Sequence, residues 1–431
     1  MTQTATHAAV SRDANRVLLI APHGSYRTGA FVEAAQRQGI QLLVASEGKH
    51  SVVSTYASGL HLDFSFPDQA LSEIQAIARQ TPFTGVIGTD DATTELAAQA
   101  AKSLGLPHNP PAAVSIARRK DLSRQRLHAA GVQVPDYQRI ELNREINQSS
   151  LTVAFPAVLK PLSLSASRGV MRVDDLGQLQ QACQRLSAIL RREYKTASDI
   201  SELALLEEFI PGNEVAVEGM LYQGNLQVLA VFDKPDPLDG PFFEESYYIT
   251  PSRHSRETLD ALHETVQSAC RAYGLLEGPV HAECRINPQG IWLIEMAART
   301  IGGLCGRLLT LGTAYQLEDL VLLHAIGQPV QAHADQQAAG VLMIPIPRNG
   351  VFKRVEGLLA AQKVPGIESI SLQVAEGHRV TRLPEGESYL GFIFARHDTP
   401  AKAEAALREA HACLRLIIDP LWNVRVNNEA L

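Results

Sequence analysis

The segment GPVHAECRI, Gly278 to Ile286, alternates strictly: Val280, Ala282, Cys284 and Ile286 fall on one face and His281, Glu283 and Arg285 on the other. NPQG follows as a turn and IWLIEMA returns, so the stretch reads as an antiparallel hairpin. A three-residue loop, Pro288-Gln289-Gly290, with glycine in the left-handed conformation, pairs Asn287 with Ile291. Counting back along both strands then sets Glu283 directly opposite Glu295. Carboxylates with Cβ atoms about 4.5–5.5 Å apart repel unless something compensates them. A hard divalent cation that takes two carboxylates plus substrate phosphates is the natural compensation. The plainer alternative is two solvated glutamates, with Arg299, which shares the parity of Glu295, pairing with one of them.

Upstream, VLLIAP, AFVEAAQRQG closed by Gly39, and IQLLVAS make a β-α-β unit. GVIGTDD then leads into the helix TTELAAQAAKSLG, and the proline-rich LPHNPPAAV reads as a linker. The first hundred or so residues therefore form a small α/β domain behind a frayed tail. Its Gly24–Gly29 loop lacks the Lys-Ser/Thr of a phosphate loop, having Ala30-Phe31 instead, and reads as a strand-to-helix turn.

A helix over Arg118 to Ala130 carries Lys120, and FPAVLKP ends a short apolar strand on Lys160. SLSASRG, with Ser163, Ser165 and Ser167, joins that strand to VMRV as a flap whose N–H groups face an anion. Asp174 caps a helix whose Leu176, Leu179, Cys183, Leu186 and Leu190 form one buried face. LALLEEFIPGNEVAVEGML follows: a strand, a Pro211-Gly212 turn, and a strand with Glu214, Ala216 and Glu218 on one face. A long irregular segment then runs from Pro235 to Ser252. Helices Leu259 to Tyr273 and Ala401 to Leu416 have apolar stripes that read as core.

Taken in this order, Lys120, Lys160 in VLKP, the flap, LLEEFIPGNE and HAE…IEMAAR resemble the ATP-grasp superfamily over residues 15 to 330. GVLMIPIPRNG, GIESI and GESYLGFIFARHDTPAKAEAAL are similar to the C-terminal domain of the L-amino-acid ligase branch, which joins two amino acids into a dipeptide. The resemblance implies an α/β and α+β ATP-grasp fold: a tail over 1–15, a Rossmann-like α/β domain over 16–108, an ATP-grasp domain over 109–330 with its flap subdomain about 151–212, and a small C-terminal α+β domain over 331–431. Two subdomains would clamp ATP. It implies that Lys120 and Lys160 hold the phosphates and that the serines, Ser165 and Ser167 foremost, close over them. Glu207, Glu208, Phe209 and Ile210 would form the adenine hinge, and Glu214 would take the ribose. Glu283 and Glu295 would ligate Mg²⁺ or Mn²⁺, and Arg299 would grip the acceptor carboxylate and then an acyl phosphate. The family often has Asn two residues after the second metal glutamate, where this chain has Ala297, so one metal contact is missing or moved.

The implied reaction is ATP-dependent amide formation, in which positioning and charge neutralisation carry the transfer. His281 and Glu244 are candidates for the base that deprotonates the incoming ammonium. Substrate selection is assigned to the irregular segment, with Glu244, Tyr247, Tyr248, Phe242 and Phe243, and to Gly302-Gly303. Two rivals remain: an ATP-grasp ligase for a different acid or amine, in secondary metabolism or a purine-like pathway, and a non-catalytic nucleotide-binding protein.

Composition sets the outer limits. With 39 Lys+Arg against 46 Asp+Glu and 45% apolar residues, the chain is a mildly acidic globular protein, an unrewarding balance for a nucleic-acid binder. Five cysteines without a CxxC pair argue for a reducing compartment. No apolar run reaches the roughly 18 residues of a membrane span, and the cytoplasm is the expected address. A homodimer is expected only by analogy with the family.

Overall fold

The computed structural model describes residues 15–47, 58–193, 202–309, 315–330, 337–386 and 388–421. The expected 1–15 tail lies, apart from Asn15, outside them. In chain order the first elements are β1 (Arg16–Ile20), α1 (Thr28–Gln38), β2 (Gln41–Ser46), β3 (Ser58–His61), α2 (Pro67–Gln80), β4 (Gly85–Gly88) and α3 (Asp91–Ser103). The strands form a parallel sheet in the order β3-β2-β1-β4. Leu18, Ile20, Ala45, Ile74 and Ala100 are sealed in its core, as expected where helices cover a parallel sheet. Gly39 closes α1 at φ +65, a left-handed value that glycine adopts without strain. The Gly24–Gly29 loop is a strand-to-helix turn, in which the Ser25 hydroxyl donates to Asp90 (2.9 Å). These residues, up to His108 and joined by the segment beginning at Glu318, are one of two compact units.

The second unit starts with α4 (Pro111–Arg118) and α5 (Lys120–Ala129). The expected linker is thus partly helical, because Pro111 at the first helical position costs no hydrogen bond. Next come β5 (Tyr137–Glu141), β6 (Ala157–Pro161), β7 (Met171–Val173), α6 (Leu176–Glu193), β8 (Leu203–Glu208), β9 (Asn213–Tyr222), β10 (Asn225–Lys234), β11 (Tyr247–Thr250), α7 (Arg256–Tyr273), β12 (Gly278–Asn287) and β13 (Gly290–Ala297). The chain continues with α8 (Leu317–Ala325), β14 (Ala338–Ile344), β15 (Gly350–Glu356), α9 (Leu358–Gln362), β16 (Ile367–Leu372), β17 (Arg379–Val380), β18 (Gly391–His397), α10 (Pro400–Ala412) and β19 (Arg415–Asp419).

Strands β5-β8-β6-β7 make an antiparallel sheet over which α6 lays Leu179, Cys183, Leu186 and Leu190. That helix is capped by Asp175, whose carboxylate accepts from the Gln178 N–H (2.8 Å), and not by Asp174 as expected. A second, eight-stranded sheet runs β13-β12-β9-β10-β11-β14-β18-β16, and three further strands pair as β17-β15-β19.

Two expectations are corrected here. Tyr247–Thr250, read as part of an irregular loop, is a buried strand linking β10 to β14. Through β14 and β18 the residues expected as a small C-terminal α+β domain pair into the same sheet as the ATP-grasp segment. The last helix stops at Ala412, and Leu416 pairs with Val355 in β19. Among the described residues no helix is long and apolar enough to cross a membrane.

Candidate active site

The hairpin β12–β13 turns through two residues, Pro288-Gln289, with Asn287 opposite Gly290. The expected three-residue loop would have reached the Glu283–Glu295 pairing directly. Instead, a bulge in the register between Glu283 and Cys284 restores it, and the two glutamates are register partners. On the other edge of β12, Glu283 meets Ala216 of β9, while His281 meets Glu218 and Arg285 meets Glu214. The small Ala216 leaves room above Glu283, so the alternation of three strands builds a charged floor on one sheet face.

This floor and the β5-β8-β6-β7 sheet enclose a cleft lined by Lys120, Lys160, Ser165, Ser167, Glu207, Glu208, Phe209, Ile210, Glu214, Glu283 and Glu295. Eleven residues singled out from sequence, spread over 176 positions, are thus brought together.

Lys160 on β6 is buried and its Nζ lies 2.5 Å from Glu207 Oε2; Arg124 Nε lies 2.6 Å from Glu207 Oε1. Burial alone would push the Glu207 carboxyl up, but Arg124 and Lys160 outweigh it and hold it below the usual range. Glu207 is therefore a buried counter-ion, a side-chain role the hinge reading did not supply. In the hinge itself, Glu208 N–H donates to Asp136 (2.9 Å), Phe209 N–H to Pro156 (3.0 Å), and Ile210 C=O accepts from Arg285 (2.7 Å).

Lys120 reaches both Glu295 (3.1 Å) and the Leu164 carbonyl of the flap (2.8 Å). Ala166 and Ser167 both stand at φ +55, left-handed values that cost non-glycine residues of order 1 kcal/mol each. Such strain concentrates where a loop must present its backbone to a ligand.

Lys234 and Glu245 carry no sequence signal as members of the site, and Arg285 shows in the chain only as sharing a strand face with Glu283. Lys234, at the end of β10 and opposite Glu214, places Nζ 2.8 Å from Glu214, 2.7 Å from Glu245 and 3.0 Å from Glu283. Burial opposes its charge, but the three carboxylates hold the ammonium well above its ordinary range. Arg285 clamps the other side of Glu214 (2.9 Å) and stacks under Phe209 and Phe243. Among the described residues, Glu214, Glu245 and Glu283 each offer an oxygen within 4.8 Å of the others, and the Lys234 ammonium stands among all three, so a divalent cation held by this set would have to displace it. Burial and its neighbour Glu283 push Glu245 up, whereas at Glu283 Lys234 and His281 outweigh burial and bring it down.

Other expectations move. His281, a candidate base, has Nδ1 3.1 Å from Glu218 and Nε2 3.6 Å from Glu283. Burial opposes its charge, but the two carboxylates outweigh it and raise its pKa, and both ring nitrogens face these carboxylates. Glu218 also accepts from the Ile301 N–H (3.1 Å), pinning the loop that carries Arg299, whose guanidinium donates to Thr300 C=O (2.9 Å).

Tyr247 does not face the cleft: it is buried in the C-terminal core with Arg408 over its ring. Its neighbour Tyr248 points the other way and donates to Glu245 (2.7 Å), as strand alternation requires once Tyr247–Thr250 is recognised as β11. Glu244, half-buried, is pushed up by burial. Gly303 is needed for its own backbone, at φ +61 with Phe392 3.2 Å from where a Cβ would stand, and Gly302 beside it is half-buried.

Comparison with known proteins bears on the family and the fold. Residues 153–307 match the model of the ATP-grasp domain, 32–108 that of the ATP-grasp N-terminal domain, and 342–419 that of the L-amino acid ligase C-terminal domain 2. The chain is similar to dapdiamide A synthase of Enterobacter agglomerans, 28% identical over 410 residues, covering 84% of this chain and 92% of that protein. It is 29% identical over 376 residues to carnosine synthase 1 of Gallus gallus, covering 79% of this chain but only 39% of that relative. In fold it superposes on the crystal structure of an L-amino acid ligase from Bacillus licheniformis with a TM-score of 0.80 at 24% identity, over 95% of this chain and all of that one. ATP-grasp proteins bind ATP with Mg²⁺. The chain belongs to the ATP-grasp superfamily of ATP-dependent carboxylate–amine ligases, near the L-amino-acid ligase branch.

Proposed function

We propose that this ligase joins two amino acids, or amino-acid-like compounds, through an acyl phosphate, releasing ADP and phosphate. The observation that carries the reading is the opposition of Glu283 and Glu295 on a cleft floor faced by Lys120 and Lys160. Lys120 and Lys160 exchange their present partners, Glu295 and Glu207, for phosphate oxygens and neutralise them as point charges. Glu283 and Glu295 would hold Mg²⁺ or Mn²⁺, and the ion would supply charge neutralisation at the phosphates. The Ser163–Ser167 flap closes over the nucleotide and excludes water. Glu208 to Ile210 face the base and Glu214 the ribose.

In the first step a carboxylate oxygen of one substrate attacks the γ-phosphorus and ADP leaves. In the second, the amine of the other substrate attacks the acyl carbon, the C–N bond forms and phosphate leaves with the bridging oxygen. Arg299 holds the carboxylate and then the acyl phosphate, to which its planar guanidinium is suited. The proton lost by the incoming ammonium goes to the Glu244 carboxylate, since His281 is engaged on both nitrogens and Glu245 on both oxygens. The dapdiamide and carnosine synthase relatives support an amino-acid-like pair. Phosphate release with ATP, Mg²⁺ and pools of L-amino acids, with mass spectrometry of products, tests the reading. A condensed mass that requires amino acids and disappears in Glu295→Gln is the expected result; ATP binding without turnover on any pool overturns it.

A further inference from the structure

A second concave site lies at the end of the flap, against α6 and the β17 segment. It is a depression of about 680 Å³ lined by Arg168, Arg185, Arg192, Arg379 and Arg382, five guanidinium groups contributed by the flap, by α6, by β17 and by the segment after it. Glu385 is the one carboxylate among the described lining residues, and Arg185 already takes it bidentately (2.6 and 2.9 Å). Arg168 also meets Glu193 at the rim (2.6 Å). Among the described residues, five guanidinium groups meet two carboxylates here, in a chain whose net charge is -7.

Gathering like charges in one concavity weakens the fold through self-repulsion and focuses the field within it. An ordinary solvated face spreads its charges and intersperses signs; this one converges them from separate segments. The guanidinium fork is the group best matched to phosphoryl oxygens, and the volume lies within the roughly 300–1,000 Å³ of small-molecule sites. We infer that this arginine basin binds a small anion bearing two or more phosphoryl groups. A single phosphate neutralises too little of the excess and reaches too few of the five side chains.

The basin is wired to the nucleotide cleft. Arg168 follows Ser167, which lines that cleft, and the next residue, Gly169, donates its N–H to Pro384 C=O (2.9 Å) on the wall that carries Arg382 and Glu385. Arg185 lies under the ring of Phe242, in the segment after β10. An anion held here therefore touches the root of the flap.

The test titrates inorganic pyrophosphate into the full chain by calorimetry, without Mg²⁺ and at about physiological ionic strength, where exposed charges beyond about 8 Å are screened. Arg379→Ser/Arg382→Ser, both exposed positions, is compared with Lys120→Ala in the nucleotide cleft. One equivalent should bind, the double arginine variant should weaken it about tenfold or more, and Lys120→Ala should leave it unchanged. Absence of saturable binding overturns the proposal, as does loss of binding in Lys120→Ala with retention in the arginine variant. Orthophosphate or sulfate binding as tightly as pyrophosphate overturns the assigned ligand class.

Discussion

The two ends of the eight-stranded sheet make opposite use of the same architecture. At one end, β13, β12, β9 and β10 present Glu295, Glu283, His281, Arg285, Glu214, Glu218 and Lys234 to one face, and Glu214, Glu218, Lys234, His281 and Arg285 are buried. At the other, β11, β14 and β18 bury Ile249, Leu342, Ile344 and Ile393 against α10 and the three-stranded sheet, each 2% exposed or less. The apolar end gains stability from area removed from water. The charged end gains little, because desolvation of each ion consumes most of what its partner returns. Its charges stand in a low-dielectric place where they act strongly on whatever enters. One end is built to hold and the other to act, and substitutions should separate the two.

The largest effect is expected across the cleft from the charged end, at Glu207 on β8 of the four-stranded sheet. Glu207→Ala leaves Arg124 and Lys160 buried without their counter-ion, which costs about 3–5 kcal/mol in denaturant unfolding. Leu342→Ala at the apolar end costs about 2–5 kcal/mol by the same measurement but spares turnover per folded molecule. If Leu342→Ala lowers kcat as much as it lowers stability, the division of labour between the ends fails. Glu295→Gln inverts that pattern: its side chain is 40% exposed, so melting should change little while turnover falls about a hundredfold or more.

The pH response sharpens the contrast. Glu207 has a depressed folded pKa, so its contribution is present above the ordinary value of 4.5 and is lost as pH falls through the lower folded value. The wild-type melting temperature should therefore drop more steeply than that of Glu207→Gln below about pH 4.5. Parallel curves would show that the carboxylate is not what the two cations need. The smallest effect is expected at Gly303→Ala, about 1 kcal/mol from forcing a Cβ into a left-handed backbone.

Much of the charged end was legible in the chain. Strict alternation in GPVHAECRI and in NEVAVEG assigns each carboxylate its face, because a strand has a period of two whatever surrounds it. The opposition of Glu283 and Glu295 was read correctly through an incorrect turn: a two-residue turn plus a bulge gives the same pairing as a three-residue loop. The helix of Leu179, Cys183, Leu186 and Leu190 was equally plain, since one apolar stripe needs only one covering sheet.

What the sequence by itself determined is the local periodicity, and with it the ordered set of motifs that places the chain among the ATP-grasp ligases. Only the tertiary structure decided which charges meet. Lys234 reads as the polar end of an apolar strand until β9 sets Glu214 opposite it and β11 brings Glu245 from beyond a proline-rich loop. Tyr247 and Tyr248 exchange roles once that loop ends in a strand, because one residue of register reverses a side chain's face. Ion pairs act over a few ångströms of space and carry no period along the chain, so their partners are fixed by packing and cannot be counted out in advance.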